Sequence, residues 1–169
     1  MLIPALRRYL EAPPLVATPA YELSYRLLAE RRRLAGGRRY QILALLILRG
    51  EEINFPEIAG RITEDLSRRG AKRFSIEARW IVCSNRGGIY LYEAVATKEN
   101  RKLGPLRSRF LVLDYADGTV SLGPGHLDNE RFSRAMAYLI ERQRTMPEAE
   151  WRRAFEGILG ECLARLGGA

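Results

Sequence analysis

Between Lys72 and Tyr115 the sequence interleaves aromatic rings with cations, the residue types that grip a polyanion and stack on its bases. Trp80, Tyr90, Tyr92 and Phe110 each offer a flat face for an unpaired base, and such a stack contributes about 1–3 kcal/mol whatever the base. Lys72, Arg73, Arg79 and Arg86 flank these rings on one side. Lys98, Arg101, Lys102, Arg107 and Arg109 flank them on the other. All of these except Lys98 are taken as candidate nucleic-acid-binding residues. The whole chain has 28 lysines and arginines against 20 acids, a net charge of +8. Only Lys72, Lys98 and Lys102 are lysine, and the guanidinium binds phosphate in a bidentate way and stacks on bases better than an ammonium does.

Residue types that break bonds are sparse. The single histidine, His126, lies in a Gly/Pro turn. Asp114 and Asp117 belong to "DYADGT", which has the chemistry of a strand end and a hairpin turn. "NRGG" at Asn85–Gly88 is a glycine pair that a hairpin needs in any case, and no phosphate-loop, zincin or nucleophile-elbow pattern occurs. Neither an enzymatic activity nor a cofactor or metal is expected. Cys83 and Cys162 sit in apolar patterns without metal-ligand spacing and read as reduced core thiols. The longest apolar run, Ile42 to Leu48, falls far short of the roughly 20 residues of a membrane span. The arginines of "MLIPALRRYL" follow its apolar residues, the reverse of a secretory signal. The chain is expected in the cytoplasm, away from membranes.

These side chains need a scaffold. With 169 residues and 47% hydrophobic content, the chain suffices for one domain spanning residues 1–169. A short amphipathic piece, Leu2 to Leu10, precedes an extended proline segment. Thr18 with Pro19 reads as the start of a helix to Leu34, which Gly36 and Gly37 end. A second helix, Arg38 to Arg49, is apolar nearly all round and should be buried. A third follows the Asn54/Glu57 capping signal, with Gly70 closing it. The period then changes to that of strands: Phe74–Ser84, Ile89–Thr97, Arg107–Tyr115 and Thr119–Leu122, with turns at Asn85–Gly88 and Asp117–Gly118. Two helices complete the chain, one capped by Asp128 with Leu127 and Phe132 stapling it, the other introduced by Thr145-x-x-Glu148. The expected fold is α+β: a four-stranded antiparallel β-meander packed by N-terminal and C-terminal helices.

One feature of the central hairpin is unusual. "RWIVCSNRGGIYLYEAVA", Arg79 to Ala96, is apolar on both faces, whereas a half-buried hairpin alternates. Its second face is covered by helices, serves as a stacking platform for single-stranded nucleic acid, or forms a subunit interface. The order of helices, meander with "RWIVCSNRGGIYLYE" at its centre, and C-terminal helices resembles ThermoDBP and related archaeal single-stranded-DNA-binding proteins. That resemblance implies a cleft for single-stranded DNA and self-association. This C-terminus lacks the namesake's leucine zipper. The stripe Trp151, Phe155, Ile158, Cys162 and Leu166, within residues 145–166, suggests a homo-oligomer joined by helix packing if it stays uncovered. The expected function is non-catalytic binding of single-stranded DNA or RNA with little sequence dependence. The alternative is a winged-helix regulator of duplex DNA, with "NRGG" at the tip of its wing.

Overall fold

The computed structural model describes residues 1–34, 36–50, 52–70, 72–86, 88–123 and 129–167. Its centre is a seven-stranded mixed sheet ordered β1-β2-β3-β4-β6-β5, with β7 also paired to β6. The strands are β1 (Pro14–Ala17), β2 (Tyr21–Arg32), β3 (Arg38–Leu48), β4 (Phe74–Ser84), β5 (Lys102–Leu103), β6 (Leu106–Asp114) and β7 (Val120–Gly123). β1, β2 and β3 form an antiparallel run; β3, β4 and β6 are parallel; β5 and β7 pair antiparallel with opposite halves of β6. The helices are α1 (Leu2–Leu10), α2 (Phe55–Ser67), α3 (Gly88–Val95), the single turn α4 (Lys98–Arg101), α5 (Asn129–Arg142) and α6 (Glu148–Gly167).

The α+β class and the extents of β4, β6 and β7 agree with the sequence pattern. The four-stranded antiparallel meander does not. The two segments read as N-terminal helices are the strands β2 and β3. Strand β3 lies between β2 and β4 and is covered on both faces, so its side chains are apolar on both sides, and such a run mimics a buried helix. Thr18 caps no helix. Its hydroxyl accepts from the backbone N–H groups of Ala20 (3.2 Å) and Tyr21 (3.1 Å), turning the chain from β1 into β2.

The expected central hairpin is also replaced. After β4 the chain enters α3 and then joins β6 in parallel. Among the described residues the four-stranded meander on which the resemblance rested does not form, and Gly88–Val95 is a helix rather than the second strand of a hairpin. The two apolar faces now have a simple cause. Helices cover the sheet on both sides, making a three-layer arrangement.

One core places Phe55, Ile58, Ile62 and Leu66 of α2 and Leu91 and Val95 of α3 against Ile42, Ala44, Trp80, Val82 and Phe110. The other places Leu6 and Leu10 of α1, Phe132 and Met136 of α5, and Trp151 and Phe155 of α6 against Leu43, Leu45, Ile81, Leu111 and Leu113. Successive residues of β3, β4 and β6 thus alternate between two interiors. The stripe on α6 faces inward, and the Trp151 indole N–H donates to the Leu139 carbonyl at 2.6 Å. The surface expected to join subunits is part of this chain's own core.

The start of α2 is as expected: the Asn54 side chain accepts from the Glu57 N–H at 3.3 Å, and Gly70 takes a positive φ of 85° beyond the helix end. Helix α6 begins at Glu148, placing Pro147 rather than Thr145 at its cap. The Leu127/Asp128 cap lies outside the described residues. Glu22 ties α1 to the sheet. Buried at the start of β2, it accepts from Arg7 Nε at 2.9 Å and Nη2 at 2.5 Å, and Arg49 Nη2 stands 3.1 Å away.

Candidate nucleic-acid interface

The helices α1, α5 and α6 cover only part of their face of the sheet. Arg39 and Gln41 of β3, Glu77 and Arg79 of β4, and Arg107 and Arg109 of β6 have the same strand parity as the inward residues Leu43, Ile81 and Leu111. They continue that face toward the N-terminal ends of the parallel strands, where polar side chains replace the apolar ones. Strand pairing sets them side by side: Gln41 beside Glu77, Glu77 beside Arg107, and Arg79 beside Arg109. Lys102 of β5 is the antiparallel partner of Arg107.

This area is a recess of about 830 Å³. Seven cations line it (Arg39, Arg79, Lys98, Arg101, Lys102, Arg107 and Arg109), against the single carboxylate of Glu77. Arg39 is ion-paired with Glu77, both side chains about two-fifths exposed. Arg109 donates to the Leu166 carbonyl at 2.6 Å, joining the end of α6 to the rim. Among the described residues, none of the lining side chains is aromatic. The cationic excess gives the recess a positive field, which low-dielectric walls intensify.

The candidates read from sequence divide into distinct places. Arg79, Arg101, Lys102, Arg107 and Arg109 meet in the recess. Lys72 and Arg73 stand just before β4, at the same end of the sheet, where the Arg73 carbonyl accepts from the Arg38 N–H at 3.0 Å. Arg86 is exposed beyond the other end of β4. Trp80 and Phe110 are fully buried under α2. The Trp80 indole N–H donates to Ser108 Oγ at 2.9 Å, and the Phe55 ring meets both aromatics edge-on with centroids 4.9 and 5.3 Å away.

Tyr92 belongs to α3, half-buried beside Gly123, where a Cβ would come within 2.5 Å of its hydroxyl. Burial raises that hydroxyl's pKa above the usual tyrosine range. Tyr90 is also on α3, but its side chain lies outside the described residues, as do Gly87 of "NRGG" and His126. The rings that looked like a platform therefore belong, where described, to the opposite interior. The cations recruited to flank that platform hold the open area themselves.

Arg39, Gln41, Glu77 and Lys98 line the recess but were not among the candidates read from the sequence. A signal for Arg39 was present in "ERRRLAGGRR", a glycine pair between two charged runs, which marks a hairpin once the flanking segments are strands.

Cys83 and Cys162 are both buried. Desolvation raises both thiols, that of Cys162 to about 12, which makes them poor nucleophiles. Among the described residues no cluster of metal-ligating side chains occurs, and no helix is long and apolar enough to cross a membrane. No family model, curated protein or solved structure matches the chain.

Proposed function

We propose that the chain binds single-stranded nucleic acid, DNA or RNA, by holding its phosphates in the cationic recess, without catalysis and with little dependence on sequence. The observation that carries this is the meeting of seven cations with one carboxylate on a patch of sheet that the helices leave open. Phosphate contacts position a strand but carry no direct sequence information. A flexible single strand can bend its backbone into a recess of this size. The helix that a winged-helix arrangement would lay on a duplex, α2, is packed on the other face of the sheet.

Fluorescence anisotropy with matched single- and double-stranded oligonucleotides tests the proposal. Single strands should bind more tightly, with similar affinity for unrelated sequences. The double variant Arg79→Ala/Arg107→Ala should bind more weakly and with a shallower salt dependence, by roughly 0.7 in log–log slope for each phosphate that the variant fails to engage. Tighter binding of duplex by the intact chain, or an unchanged slope in the variant, would refute it.

A further inference from the structure

The hairpin joining β2 to β3 ends beside the recess. Its pairing continues to Arg31↔Arg39 and Arg32↔Arg38, and the tip is closed by hydrogen bonds from Arg33 N–H to the Gly37 carbonyl (2.7 Å) and from Gly36 N–H to the Arg33 carbonyl (3.1 Å). Gly36 has a positive φ of 82°. Leu34, at this tip, is fully exposed. A lone exposed leucine is ordinary on a protein surface. The cations arranged around this one are not.

Pairing places Arg31 beside Arg39 on the recess face, whereas Arg32, beside Arg38, has the parity of Tyr40 and the opposite interior. The hairpin end therefore carries arginine on both of its faces and an apolar side chain at its apex. Arg33 is anchored by a 3.1 Å bond to Ser75, and Arg38 by a 2.7 Å ion pair with Glu30. Arg31 and Arg32 are exposed and have no ion-pair partner among the described residues.

We infer that this hairpin end recognises the junction where a duplex opens into a single strand: Leu34 packs on the last base pair, Arg31 and Arg32 hold the two diverging backbones, and one strand continues into the recess. The inference rests on the proposed single-strand site and names the form of nucleic acid that the site takes. Apolar side chains presented from cationic elements pack against or between bases in this way, and the adjacent phosphate contacts offset the unstacking. An end of a helix already exposes a base-pair face, so little stacking is lost there. From Arg31 through Arg39, Glu77 and Arg107 to Lys102, the strip crosses five strands, roughly 19 Å at about 4.8 Å per neighbour. It leads from the hairpin to the far rim of the recess.

The test compares a single-stranded oligonucleotide, a blunt duplex and a duplex with a single-stranded tail, with 2-aminopurine at the last paired position. The intact chain should bind the tailed duplex about tenfold more tightly than the single strand, a difference of about 1.4 kcal/mol. It should also change the 2-aminopurine emission. Leu34→Ala should melt like the parent, remove that emission change and bring the tailed duplex down toward single-strand affinity, leaving the single strand itself unaffected. Arg31→Ala/Arg32→Ala should lower tailed-duplex affinity with a reduced salt slope. Equal binding of tailed and single-stranded probes by the intact chain would overturn the junction inference while leaving the recess assignment in place. Discrimination that survives both variants would do the same. Loss of single-strand binding altogether would instead remove the recess assignment on which the inference rests.

Discussion

An indole ring serves equally well on a base or in a core, and at position 80 the neighbours decide. Trp80 has a hydroxyl partner for its N–H in Ser108, and Phe55 and Phe110 beside its ring. Those neighbours satisfy the polar atom and bury the apolar surface, leaving no face for a base. Trp80→Ala is therefore expected to cost about 3–5 kcal/mol of stability, as truncation of a large buried aromatic does. Thermal or denaturant melting measures this. The fraction still folded should bind a single-stranded oligonucleotide nearly like the parent, because the cations of the recess are unchanged and only the hydrogen bond to Ser108 at its wall is lost. A mild stability loss with a large affinity loss would return Trp80 to the binding surface. Five of the cations grouped from the sequence line the recess, because charged side chains stay at the surface wherever the strands run. The described rings do not, because aromatic residues suit both destinations.

At the scale of elements, what was legible depended on whether a segment's pattern had one structural explanation. Helix α2 announces itself through Asn54 and Glu57, and β4 through its β-branched and aromatic content. Strand β3 and helix α3 do not: "ILALLIL" is short, apolar and sandwiched, and "GIYLYEAV" has strand-forming residues in a helix held by its docking. Packing across two interiors decides such segments, and a single sequence does not display it. The docking of α1 can be tested separately, since Glu22 of β2 binds Arg7 of α1 and also Arg49, just beyond β3. Hydrogen bonding from Arg7 holds the Glu22 carboxyl below the usual carboxylate range, with the charge of Arg49 adding to the effect. A group whose folded pKa is lowered stabilises fully above its unfolded pKa and loses that contribution as pH falls through the folded value. Glu22→Gln should lower stability by about 1–3 kcal/mol at neutral pH, where charge-assisted bonds are lost. It should also make the fall toward acid shallower and increase hydrogen exchange in α1. An acid limb parallel to that of the parent would mean that Glu22 contributes nothing to the pH dependence.

At the scale of the whole molecule, two interiors consume most of the apolar and aromatic side chains and leave charge to form the proposed binding surface. Placing Trp151 and Phe155 inside removes the patch from which an oligomer was expected, and placing Trp80 and Phe110 inside removes their stacking contribution. What remains for a single strand is a cationic recess whose described lining contains no aromatic ring. Two mechanisms of single-strand binding predict different responses to the ligand's own chemistry. A stacking platform loses about 1–3 kcal/mol for each base removed. A phosphate site responds to the backbone charge, and its affinity falls linearly with salt on a log–log scale as released counterions are replaced. For the intact chain, an oligonucleotide carrying abasic sites throughout its bound length should bind about as tightly as the natural strand, with the same salt slope of roughly 0.7 per phosphate engaged. Extrapolation to about 1 M salt should leave little affinity for either. The discriminating measurement is anisotropy with the two strands across a salt series. Marked loss on base removal at every salt concentration would show that rings reach the ligand after all and that charge alone does not account for the site.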